Sequence, residues 1–68
     1  MTVKVRRVIS VIEARGWVHQ RTEGDHRVFF NKDKGSVTVV SGALGEDVPK
    51  GTFGSILRQT GLKKSDFK

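Results

Sequence analysis

Two side chains in the sequence carry an imidazole, His19 and His26. His26 has the surroundings that chemistry needs. It follows Gly24 and Asp25, a pair that bends a chain, and precedes the apolar run Val28-Phe29-Phe30, so it stands where a tight turn enters a strand and a ligand can reach it. An imidazole with an ordinary pKa of ~6.5 takes up or gives off a proton near neutral pH. Placed against a phosphodiester that has a neighbouring 2′-hydroxyl, it is able to accept the hydroxyl proton or to protonate the leaving 5′-oxygen, a transfer that contributes roughly 10²- to 10⁴-fold in rate. The residues around it suit an anion. Arg21 and Arg27 are near enough in sequence to hold a phosphate and steady its developing charge, and Asp25 is placed to orient the ring. The alternative from the residues alone is a surface strand histidine among ordinary charged neighbours.

His19 shares a strand side with Trp17 and reads as a partly buried structural residue. A metal site is not indicated, since the two histidines lie seven residues apart on different strands without helical H-E-x-x-H spacing. No cofactor motif is present either. Gly42-Ala43-Leu44-Gly45 has a G-x-x-G outline, but it follows a strand, contains no basic residue and lacks a following Gly-Lys-Ser/Thr, so it reads as a plain connection. Lys50-Gly51-Thr52 is a better phosphate candidate. Free N–H groups and the positive end of a helix dipole gather at a helix start, here with a lysine alongside; capping alone is the competing role.

Something must position these residues, and the chain is short. Its 68 residues suffice for one domain, residues 1–68, with a single small core. The absence of cysteine excludes disulfides and thiolate zinc sites and suits a reducing, cytoplasmic setting. No apolar run approaches the ~20 residues of a membrane span, so no membrane role is expected. Thirteen Lys and Arg against seven Asp and Glu give a net charge of +6, the footprint of a nucleic-acid binder.

Val5, Val8, Ile9 and Ile12 fall at i, i+3, i+4 and i+7, which predicts a helix over about 3–15 that Gly16 ends. Residues 17–22 are rich in strand formers, 26–31 resume an apolar aromatic stretch, and 36–40 form a β-branched run. If the first turn is a two-residue type centred on Glu23-Gly24, Arg21 faces His26; a three-residue turn puts Thr22 there. Pro49 lies where a helix commonly begins, and Phe53, Ile56, Leu57 and Thr60 mark its buried stripe before Gly61 closes it. Ser65-Asp66-Phe67 starts one more short turn or frays. The predicted architecture is α+β: helix, three antiparallel strands, helix, with both helices on one face of the sheet and the other face free.

Taken in order, Gly16-Trp17, Gly24-Asp25-His26, Val37-Thr38-Val39, Val48-Pro49-Lys50-Gly51-Thr52, Ser55-Ile56-Leu57-Arg58-Gln59 and Gly61-Leu62 cover nearly the whole chain, and their order and spacing resemble the HicA family of toxins from bacterial toxin–antitoxin pairs. The resemblance implies a fold like the double-stranded-RNA-binding domain and metal-independent endoribonuclease cleavage of mRNA. It also implies one essential histidine, which maps onto His26, and a HicB-type antitoxin that covers it. An acidic partner surface would suit the basic chain. The chain departs from many members in having Asp25 where they have Ser, and Val40-Ser41-Gly42 where they have Pro-x-His. Without that second histidine the leaving-group acid falls to water, to Lys50 or to His26 itself. Two other functions fit the same sequence: a non-catalytic RNA-binding module, and a degenerate toxin that only binds its antitoxin.

Overall fold

The apolar positions of the first helix have to be buried, and in the computed structural model, which describes residues 2–67, helix α1 runs Val5–Ala14 and buries Val5, Val8, Val11 and Ile12. Ile9 is half-covered at the edge of that face. Among the described residues no side chain caps its N-terminus. The 42–48 loop does so instead: Val5 N–H donates to Glu46 O at 2.9 Å and Arg6 N–H to Leu44 O at 3.1 Å, satisfying donors that a helix start leaves open. Val48 N–H donates to Val3 O at 2.8 Å, and Lys4 bridges Asp47 through both backbone and a 3.0 Å ion pair. The stretch read as a plain connection is thus the lid on α1.

Three strands follow, β1 (Val18–Glu23), β2 (His26–Asn31) and β3 (Ser36–Ser41), in an antiparallel sheet of order β1-β2-β3. Helix α2 (Lys50–Thr60) and a 3-10 turn, η1 (Lys64–Phe67), complete the chain. This is the helix, three strands, helix architecture expected. Pro49 is the N-cap of α2, and Gly61 takes φ +74° so that its N–H reaches Leu57 O at 2.9 Å, the left-handed closure that glycine makes at least cost.

The core lies between the helices and the inner face of β2 and β3, where Trp17, Phe29, Val40, Phe53 and Ile56 are buried with the α1 stripe. Thr38, also buried on that face, donates from Oγ1 to Gln59 Oε1 at 2.6 Å and so ties α2 to β3. Asn31 holds the far end: its Nδ2 donates to Arg15 O at 3.4 Å and its Oδ1 accepts from Lys34 N–H at 3.1 Å. Residues 64–67 form η1 and do not fray. Phe67 is buried, its ring 5.2 Å from Phe53 in a T-shaped pair, and Arg15 reaches Asp66 at 3.1 Å.

Both helices pack on β3, and every residue of β1 is exposed. The outer sheet face is open as well; it presents Val18, Val37 and Val39 to solvent. Met1 and Lys68, the two ends of the expected 1–68 domain, lie outside the described residues. No helix among the described residues is long and apolar enough to cross a membrane.

Candidate active site

The β1–β2 hairpin sets the site. Gly24 takes φ +62° while Asp25 keeps a negative φ, the sign pattern of a II′ turn with glycine at its first central position. The two-residue turn is therefore Gly24-Asp25, and Glu23 pairs with His26. This corrects both registers expected from the sequence, since neither Arg21 nor Thr22 faces His26. The preference of II′ turns for Gly followed by any residue was the local signal that selects this register.

Paired residues share a sheet face, so the outer face carries three rows: Val18–Phe30–Val37, Arg21–Val28–Val39 and Glu23–His26–Ser41. His26 stands in the last row at the open end of the sheet. Its Nδ1 lies 3.0 Å from Asp25 Oδ1, with the two side chains 59% and 70% exposed. A carboxylate on Nδ1 orients the ring and directs Nε2 outward, the arrangement that makes a histidine an effective proton carrier. Asp25 also anchors the turn through its backbone, its carbonyl accepting from Gly42 N–H at 3.0 Å.

The two arginines part company. Arg21 is on the His26 face, one row back, with its guanidinium on Glu23 Oε2. That hydrogen bond and charge hold the Glu23 carboxyl below the ordinary carboxylate value, so Glu23 is a fixed anion beside the histidine. Arg27 faces the opposite side, where its Nη1 donates to Gly42 O at 2.6 Å. Together with the Gly42 N–H bond to Asp25, this clamps the start of the 42–48 loop to the hairpin. Gly24 is open to solvent around its Cα, since a Cβ built there meets nothing within 4 Å; its positive φ, and not close packing, is what calls for glycine.

Lys50 and Thr52 begin α2 as expected, behind an N-cap with no side-chain hydrogen bond. Lys50 borders a cavity of about 480 Å³ floored by Val3, Val48, Phe53 and Leu57, with Lys64 on its rim, and His26 is not among its walls. His19, expected to be partly buried, is exposed; its ring stands edge-on to Phe29 at 5.5 Å and its Nε2 is 2.7 Å from Thr22 Oγ1. Sequence reading missed Glu23 and Ser41 as the neighbours of His26, and a β-bulge between His19 and Arg21.

A family model described as "HicA toxin of bacterial toxin-antitoxin" matches residues 5–62 of the 68. No curated protein matches.

Proposed function

This chain belongs to the HicA toxin family, the toxin side of a bacterial toxin–antitoxin pair, and we propose that it acts as a metal-independent endoribonuclease on mRNA with His26 as its catalytic residue. The observation that supports this reading most is the 3.0 Å pairing of His26 Nδ1 with Asp25 at the exposed end of a free sheet face, which leaves the other ring nitrogen to a substrate. Nε2 takes the proton of a 2′-hydroxyl, the 2′-oxygen attacks phosphorus, and the bond to the 5′-oxygen breaks as that oxygen receives a proton. The products are a 2′,3′-cyclic phosphate and a 5′-hydroxyl. Asp25 stabilises the imidazolium formed on the way.

Arg21, on the same face, swings from Glu23 to the phosphate, and the Gly24-Asp25 turn leaves the backbone open to it. Arg27 serves RNA binding from the other side of the hairpin, and Lys50 and Thr52 offer a phosphate contact farther along the strand. Leaving-group protonation falls to the same imidazole in turn or to water, since Lys50 borders a cavity that His26 does not line. A lone histidine predicts slow turnover. The partner that controls the enzyme is an antitoxin, in our reading a HicB-type protein with an acidic surface that covers His26, in the cytoplasm.

The test is cleavage of end-labelled RNA by purified protein in EDTA. Wild type should yield cyclic-phosphate ends and His26→Ala should not. Undiminished cleavage by His26→Ala refutes the assignment, and salt-dependent binding without products would point to a binding module instead.

A further inference from the structure

A second surface of the hairpin, on the Arg27 side, has no part in the proton transfer at His26. In a regular strand, residues three apart point to opposite faces. The bulge at Gln20 cancels that alternation, so His19 and Thr22 stand together on the inner face, His19 paired with Phe29 and Thr22 with Arg27. Their side chains meet at 2.7 Å. Every residue of β1 is exposed, and on this inner face a groove of about 280 Å³ lies between β1 and α1. Phe29 forms its floor, His19, Thr22 and Arg27 one side, Ile9 and Glu13 of α1 the other, and Leu44 its end.

The lining is that of a slot for a flat heterocycle. Apolar surface comes from Ile9 and Leu44 above the buried Phe29, an exposed ring from His19, and hydrogen-bonding groups of both kinds from the Thr22 hydroxyl, the Arg27 guanidinium and the Glu13 carboxylate. Single-stranded RNA is read in this way, by stacking an unpaired base on a ring and bonding its edge. The groove is also in the right place. The Thr22–Arg27 pair is the immediate neighbour of the Glu23–His26 pair, with side chains on the opposite face, and β1 is an edge strand around which a chain is free to pass.

We propose that this groove is a nucleobase subsite, receiving one unstacked base of a single-stranded RNA whose backbone crosses the hairpin at His26. The proposal rests on the RNA-cutting reading, whose substrate it specifies. His19 and Thr22 are the residues that hold the base.

The test compares wild type, His19→Ala and Thr22→Val on a pool of short single-stranded RNAs of random sequence, with cut sites mapped. Both positions are exposed, so circular dichroism and melting should match wild type. The variants should cut with a raised KM and lose base preference at one position next to the cut, each by roughly tenfold, the effect of losing a stacked or edge-bonded base. Cleavage by both variants at wild-type KM with wild-type base frequencies overturns the subsite and leaves the His26 reading intact. If wild type leaves the pool uncut, the RNA-cutting reading fails by itself, and binding decides the groove. Fluorescence anisotropy with the same RNAs then upholds it on a tenfold loss of affinity in the variants, and overturns it on unchanged affinity or on no binding by wild type.

Discussion

Replacing Asp25 by Asn separates two roles that a carboxylate beside a catalytic histidine is able to play. The side chains of His26 and Asp25 are 59% and 70% exposed, so water screens their attraction, and exposed ion pairs of this kind contribute about 0.2–1 kcal/mol. At 1.36 kcal/mol for each tenfold in rate, the charge of Asp25 is worth at most about fivefold. Asn keeps an oxygen acceptor for the ring, so orientation is largely retained. Asp25→Asn should therefore lower single-turnover cleavage by no more than about fivefold, whereas His26→Ala removes the proton carrier and should cost roughly 10²- to 10⁴-fold. The assay is cleavage of an end-labelled RNA in EDTA, with enzyme in excess, at low salt and at ~0.5 M salt. Salt weakens the exposed pair in wild type, so the gap between wild type and Asp25→Asn should narrow as salt rises. A loss of a hundredfold or more in Asp25→Asn, at either salt concentration, would refute this reasoning and place Asp25 in the chemistry itself.

Phe67 lies beyond the span matched by the family model, yet it is buried against Phe53. Phe67→Ala should cost about 3–5 kcal/mol and lower the melting temperature by more than ~12 °C in a circular-dichroism melt; a change of only a few degrees would show that η1 is dispensable. Glu23 and Asp66 are both held below the ordinary carboxylate range, Glu23 by Arg21 and Asp66 first by the Lys63 N–H and then by Arg15. Depressed values favour folding above the unfolded-state pKa and lose that contribution as pH falls through the folded value, so melting temperature should hold from neutral pH to about 4.5 and drop below about 4. Asp66→Asn should soften that drop in melts run from pH 7 to 3. Trp17 is buried, and its Nε1–H has no partner among the described residues. An unsatisfied buried donor costs about 1–3 kcal/mol, so Trp17→Phe should destabilise much less than the roughly 3–5 kcal/mol of Trp17→Ala, as denaturant titrations would measure.

Much of the fold was legible because its signals are local. Val5, Val8 and Ile12 recur at helical spacing, residues 36–40 are a β-branched run, and Gly61 and Pro49 mark the ends of a helix through backbone constraints that belong to those residues alone. His26 was legible as a reachable histidine for the same reason: the turn glycine sits two residues before it. Phe67 was not, because its burial depends on where Phe53 lies once both helices have packed.

The register at His26 shows where local signals end. Gly24 and Asp25 announce a turn, but moving its centre by one residue slides the pairing by two and exchanges every cross-strand partner. That shift puts Glu23 beside His26, and strand alternation puts Arg27 behind the sheet on Gly42. The Gln20 bulge, likewise, has no sequence marker and exists only because β1 and β2 pair. Periodicity and turn chemistry, being properties of a few adjacent residues, determined which elements form and in what order. Which side chains meet depends on pairing between segments, and that only the assembled sheet and its helices decided.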